Sequence, residues 1–242
     1  MELDGCPFPD DRLYDVDQDV WVGPAEGDGA RRLGILSTLA SFAGRFTQVT
    51  FRPLEPTVAA GRSIATLESV RFTGAVRLPF SAELIERNEE VVRRPKLLND
   101  APYADGWVVR VRPLEAVPAS PRLRSPADAR ELLRSKIVEL RIRCYPAVPD
   151  TEFYEIGAEC SAILARLDQE LDGRAAGDVL LLVTDDPTSP IEMVRWADRS
   201  GQEVLMHRRD GNLHHFLVRK RARPTPRPRR ADGSHDAGPT TA

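Results

Sequence analysis

Two stretches of this 242-residue chain place side chains at spacings suited to chemistry. In the first, Ile64, Thr66 and Leu67, and then Val70, Phe72 and Val76, flank a polar turn. That spacing predicts a β-hairpin with Glu68-Ser69-Val70-Arg71 at or near its exposed tip. A hairpin tip is open to many partners and suits a residue that is modified or docked. The residue offered here is Arg71, whose guanidinium stays protonated and is a poor nucleophile, so it can pair with anions but not form an amide. In the second stretch, Gly157-Ala158-Glu159-Cys160-Ser161 leads into the amphipathic run Ile163, Leu164, Leu167, Leu171. This sets Cys160 at a helix start, where unpaired N–H groups and the dipole favour the thiolate. Glu159 beside it opposes that effect.

The remaining reactive side chains are less organised. Cys6, Cys144 and Cys160 are odd in number and irregular in spacing, which predicts no disulfide framework and a reducing cytoplasm as the setting. Cys6 reads as an accessible thiol near the N-terminus or as a small packing hydrophobe, and Cys144 as a resolving thiol for Cys160 or a packing residue. His207, His214, His215 and His235 have no carboxylate or cysteine at ligand spacing, so no metal site is expected. His214 and His215 are neighbours in a predicted strand and face opposite ways. No phosphate-cradling glycine loop and no Ser-His-Asp order is found.

The elements that position these residues follow from patterning. Val20-Trp21-Val22-Gly23 and Arg32 to Ile35 read as strands around a Gly-rich turn, with a short helix from Leu36 to Gly44 for which Ser37 is the expected N-cap. Val49, Phe51 and Leu54 alternate as a strand before the hairpin. Ala82 to Asn88 follows it, and Val91 to Leu98 reads as a short helix broken by Pro95. Residues 115–149 read as a proline-rich linker with a short helix, capped by Ser125 and opened by Pro126. Residues 150–220 show the order βαβαββ, two helices on a four-stranded mixed sheet. In that region Val179 to Thr184 is a buried strand, Ile191, Val194 and Ala197 mark the second helix, and His214 and Phe216 share a strand face. Residues 221–242 read as a basic, proline-rich disordered tail.

Hydrophobic residues at 41% and charged residues at 29% describe an ordinary globular chain. The net charge of -3 hides an asymmetry, because residues 219–242 hold seven Lys/Arg against two Asp and the rest is acidic. An acidic body argues against a nucleic-acid-binding core. The N-terminus lacks an apolar signal segment and no apolar run is long enough to span a bilayer, so neither secretion nor a membrane is expected.

The hairpin stretch resembles the lipoyl-attachment hairpin of glycine-cleavage H-proteins, and more closely the H-like lipoate-binding proteins linked to bacterial sulfur oxidation. Glu-Ser-Val-Lys of those families stands here as Glu68-Ser69-Val70-Arg71. Gly5-Cys6-Pro7, Asp10-Asp11 with Leu13-Tyr14, and Leu97-Leu98-Asn99 through Pro102-Tyr103 to Gly106-Trp107 add to the resemblance over residues 10–114. It implies a β-rich barrel-sandwich hybrid, with Arg71 at the lipoyl-lysine position and no lipoate attached. Residues 150–220 are similar to TusA/SirA-type sulfur carriers: a cysteine opening the first helix, Gly177-Asp178-Val179 before the second strand, Asp186-Pro187 before the second helix, and a closing Phe216-Leu217-Val218-Arg219-Lys220. There the family's Cys-Pro-x-Pro reads Cys160-Ser161-Ala162-Ile163. This second resemblance implies an α+β two-layer sandwich carrying sulfane sulfur as a Cys160 persulfide. Together they suggest a two-domain docking and sulfur-carrier protein that needs no cofactor and has protein partners in sulfur-relay or lipoate-dependent complexes. The alternatives are a non-catalytic scaffold or regulator of such a complex, and a glycine cleavage H protein, which would need lipoate on another lysine such as Lys96.

Overall fold

The computed structural model describes residues 1–53, 56–117 and 121–222. Leu54, residues 118–120 of the expected linker, and the expected tail from residue 223 with His235 lie outside the described residues. The chain opens with β1 (Glu2–Leu3) and β2 (Cys6–Pro7), joined by a tight turn. A meander follows, made of β3 (Leu13–Asp15), β4 (Val20–Val22) and β5 (Arg31–Ile35). After α1 (Ser37–Ala43) come β6 (Phe46–Phe51), β7 (Thr57–Val58), the hairpin β8 (Ser63–Ser69) and β9 (Thr73–Arg77), and β10 (Ala82–Arg87). Two short helices, α2 (Glu89–Arg93) and α3 (Leu97–Asp100), precede β11 (Trp107–Pro113).

These strands form a six-stranded sheet in the order β3-β4-β5-β11-β10-β7 and a three-stranded sheet β6-β8-β9. Their inward residues, among them Val22, Leu33, Leu67, Val76 and Val109, join one core. Each such side chain contributes about 1.5–3 kcal/mol on burial, which holds the two sheets face to face as a sandwich. Gly34 is required where it stands, since a Cβ there would lie 2.7 Å from the Trp21 ring. Ser37 is not the cap of α1. Leu36 takes that place without a side-chain bond, because the Ser37 hydroxyl is committed to the Pro7 carbonyl at 2.9 Å.

The expected linker is part of this first unit. Helix α4 (Pro126–Glu139) is capped by Ser125 accepting from the Asp128 N–H, with Pro126 in its first turn, as the sequence predicts. Its Ala129, Leu133 and Ile137 pack with Phe8, Tyr14 and Trp21. Past α4, Cys144 is disulfide-bonded to Cys6, with Cα atoms 5.0 Å apart. The expectation of no disulfide, and of Cys144 as a partner for Cys160, is therefore corrected. The two cysteines are 138 residues apart and meet only because α4 folds back over β1 and β2. The cysteine count then lends no support to a reducing compartment.

The second unit consists of β12 (Thr151–Glu155), α5 (Cys160–Asp172), β13 (Val179–Thr184), α6 (Ser189–Ser200), β14 (Glu203–Asp210) and β15 (Leu213–Arg219). The sheet order is β12-β13-β15-β14, with β12 parallel to β13 and the other pairs antiparallel. This is the predicted βαβαββ arrangement. Both helices cover one face through Ile163, Leu167, Leu171, Met193 and Trp196. The α6 stripe is rotated from expectation: Ile191 and Val194 are exposed, because Met193 and Trp196 supply the buried side and the Trp196 indole N–H donates to Asp168 at 2.8 Å. The opposite sheet face, with Leu181, Val183 and Leu217, is partly covered by Tyr145 and Ala147.

Asp150 joins the two units. Its carboxylate is 2% exposed, pairs with Arg45 at 2.9 Å and Lys96 at 2.8 Å from the first unit, and accepts from the Val179 N–H of the second at 2.9 Å. Among the described residues no helix is long and apolar enough to cross a membrane.

Candidate functional site

The hairpin tip is shaped by short-range hydrogen bonds. Glu68 pairs with Thr73, and the Ser69 N–H donates to the Phe72 carbonyl at 2.8 Å, leaving Val70 99% exposed. The Ser69 hydroxyl accepts from the Arg71 N–H at 3.3 Å and donates to the Ala43 carbonyl at 2.7 Å, which ties the tip to the last turn of α1. On the next residue, Phe72 sits edge-on to Phe42 and Phe46, with ring centroids 6.5 Å and 6.3 Å away.

Arg71 does not project outward from this tip. Its guanidinium lies back over Gly44, 3.5 Å from the Ser41 carbonyl, and pairs with Glu152 of β12 at 3.5 Å. Gly44 permits this on two counts: its φ is 70°, and a Cβ there would meet Arg71 at 3.0 Å. A cation beside the last carbonyls of α1 is in a favourable field. The end of α1 is held in turn by buried Asn99, which accepts from the Phe46 N–H at 2.9 Å and donates to the Ala40 and Gly44 carbonyls at 3.0 Å and 2.8 Å. Glu152 also accepts from the Tyr154 hydroxyl at 3.0 Å. Glu152 was not singled out as a site residue in the sequence, and Gly44 was legible only as the end of a helix. Asn99 stood within a recognised motif, but its role depends on α1 and β6 lying beside it.

A lipoyl amide needs a free lysine amine, and the chain has three lysines, Lys96, Lys136 and Lys220. Lys96 is paired with Asp150, and Lys136 binds Asp19 at 2.7 Å and the Val16 carbonyl at 2.8 Å. Lys220 donates to the carbonyls of Leu171 and Asp172. None lies on the hairpin.

Cys160 is the first residue of α5 and a free cysteine, as predicted, but its surroundings reverse the expected chemistry. Burial pushes the thiol pKa up, the Asp186 carboxylate pushes it further with a smaller push from Glu192, and a hydrogen bond with Thr188 acts the other way. Asp186 is held below the usual carboxylate range by the Thr188 hydroxyl, aided by the N–H groups of Thr188 and Cys160. The helix-start N–H that would stabilise a thiolate thus serves a carboxylate.

His207 and His214 meet at 2.9 Å, with His207 stacked on Phe216 at 4.5 Å, while His215 faces the other way onto the Tyr145 hydroxyl at 3.0 Å. Among the described residues no group of three or more His, Cys, Asp and Glu could hold a metal ion.

Comparison with known proteins bears on the first unit. A family model described as "Glycine cleavage H-protein" matches residues 12–136. A relative from Aquifex aeolicus, "Glycine cleavage system H protein 5", is 35% identical over 145 residues, covering 59% of this chain and 98% of the relative. A "Probable glycine cleavage system H protein 3" from Sulfurisphaera tokodaii is 38% identical over 112 residues, covering 46% of this chain and 80% of the relative. A crystal structure of a glycine cleavage system H protein from Mycobacterium marinum has a TM-score of 0.45 and 28% identity, covering 52% of this chain and 98% of that one.

Proposed function

The chain belongs to the glycine cleavage H-protein family, and from that premise we propose that it is a docking module of a multienzyme complex that carries no lipoyl arm. The observation that carries this reading is Arg71 at the hairpin tip, held down by Ser41 and Glu152, with every lysine of the chain engaged elsewhere. What remains is the family's recognition surface without its reactive group. The second unit then acts as a fixed accessory domain of a lipoate- or sulfur-handling complex, clamped to the tip through Glu152. The test is an intact mass of the protein co-expressed with a lipoate–protein ligase. An unchanged mass, alongside retained binding to the enzymes that recognise H-protein surfaces, supports the reading, and a lipoyl-sized adduct overturns it.

A second reading keeps the sulfur carrier. The βαβαββ topology and a free cysteine at the start of α5 favour it, while the acidic surroundings of Cys160 oppose it. Incubation with a persulfide donor, followed by mass analysis, decides the matter. A reductant-sensitive gain of one sulfur that disappears in Cys160→Ser establishes the carrier. No gain leaves the docking module alone.

A further inference from the structure

Residues 143–149, between α4 and β12, form a strap that is held to the two units by different means. Toward the second unit its ties are non-covalent. Arg143 pairs with Asp210, the Tyr145 hydroxyl meets His215 Nδ1 at 3.0 Å, and Tyr145 and Ala147 lie on the sheet face of Leu181, Val183 and Leu217. Toward the first unit it is held covalently, by the Cys6–Cys144 disulfide. Just before the strap, Ile142 packs in the core of the first unit with Leu133 and Ile137. A groove of about 650 Å³ opens between the units beside the disulfide, with Ser41, Lys96 and Cys144 on one wall and Gly177 and Arg219 on the other. The units therefore meet at separate points rather than over one continuous face.

A second, independent observation links the disulfide to the hairpin tip. The Ser41 hydroxyl donates to Cys144 Sγ at 3.2 Å, and the Ser41 carbonyl is the one that the Arg71 guanidinium approaches. One residue of α1 thus touches both the disulfide and the tip. The other hold on Arg71 is Glu152, which begins on β12 soon after the strap ends. That ion pair spans 3.5 Å with the arginine half-exposed, an arrangement that holds weakly unless the two units are kept in place.

We propose that the Cys6–Cys144 disulfide is a redox-set lock on the hairpin tip. Oxidised, it fixes the strap to the first unit and keeps Glu152 against Arg71. Reduced, the strap stays with the second unit through its own contacts, the pivot falls between Ile142 and Cys144, and Arg71 is released. The exchange is a two-electron step: a dithiol gives two electrons and two protons to the sulfur–sulfur bond, leaves two thiols, and closes to a disulfide of its own. Both cysteines are buried, so the attacking thiolate reaches them only when the strap opens locally, and reduction is slow compared with that of an exposed disulfide. As a control of docking the lock rests on the reading given under Proposed function, but it belongs to the free chain and its test needs no partner.

The test is hydrogen exchange read by mass spectrometry on the full chain, oxidised and after dithiothreitol, with the Arg71 guanidinium resonances followed by NMR. The intact mass reports the gain of two hydrogens. The reduced chain exchanges about ten-fold faster over residues 143–149, while α5 and β11 keep their protection. The Arg71 resonances move to those of an unpaired guanidinium. In the oxidised chain Glu152→Ala causes the same movement, and in the reduced chain it adds nothing, because the pair is already open. Cys144→Ser reproduces the reduced pattern without reductant. A disulfide that dithiothreitol does not reduce in the folded chain, equal exchange of the strap in both forms, a rise spread through β11 and the rest of the first unit, or an equal effect of Glu152→Ala in both forms each overturns the lock. These outcomes leave the docking reading standing, since that is decided by the mass after co-expression with the ligase.

Discussion

The hairpin tip and the start of α5 differ in what each lacks. At the tip the β8–β9 hairpin, the Ser69 ties and the Phe72 anchor build a defined turn, and the residue it holds is Arg71, which has no amine to acylate. At α5 the residue is present, a free cysteine on the first turn, but its surroundings are acidic and partly buried. A reactive position needs both a competent side chain and a field that favours its charged form. Each region supplies one of the two. The tip lacks a side chain that can be acylated, whereas Cys160 lacks neighbours that favour its thiolate.

Four measurements sharpen that contrast, in order of expected effect. Arg71→Lys, co-expressed with a lipoate–protein ligase, is expected to gain a lipoyl-sized mass where the unaltered chain gains none. Adding Glu152→Ala should raise the modified fraction by freeing the amine from its clamp. If the lysine variant stays unmodified even with Glu152 removed, the tip is not the family's attachment scaffold.

Replacing Cys144 by serine breaks the covalent tie that closes the first unit, and should cost about 5 kcal/mol in denaturant unfolding for a loop of 138 residues. The loss should appear in the transition of the first unit while the βαβαββ unit keeps its own. Asp150→Asn removes the carboxylate shared by Arg45, Lys96 and the Val179 N–H. It should cost about 2 kcal/mol, because Arg45 is half exposed and can be rehydrated. It should also speed proteolysis between the units.

The smallest effect concerns Cys160. Its raised pKa means a lower thiolate fraction at neutral pH, so iodoacetamide labelling should be slow at pH 7 and rise through a midpoint above the value of about 8.5 for a free cysteine. Asp186→Asn removes the nearest negative charge and should lower that midpoint and speed labelling at pH 7. Asparagine keeps an oxygen for the N–H groups of Thr188 and Cys160. A midpoint below that of free cysteine in the unaltered chain would restore the thiolate and, with it, the sulfur-carrier reading.

Local pattern was enough for much of the fold. Alternation around residues 63–76 predicted the hairpin, the i, i+4 spacing of Ile163, Leu167 and Leu171 predicted α5, and Ser125-Pro126 marked the start of α4. The order βαβαββ and the placement of Arg71 and Cys160 were likewise legible, because each depends on residues a few positions apart. Where two faces of a helix were both plausible, as in α6, the sequence misled: Met193 and Trp196 fill the core and Ile191 and Val194 do not, since only the sheet beneath decides which side is buried. Tertiary structure alone joined Cys6 to Cys144, set Asp150 between Arg45 and Lys96, brought Glu152 to Arg71 and turned Asp186 toward Cys160. The first three are contacts between residues far apart in the chain, and the last spans two elements of the second unit. A residue's type and local spacing say what it can do chemically. The charges and hydrogen bonds that decide whether it does so come from wherever the chain has folded beside it.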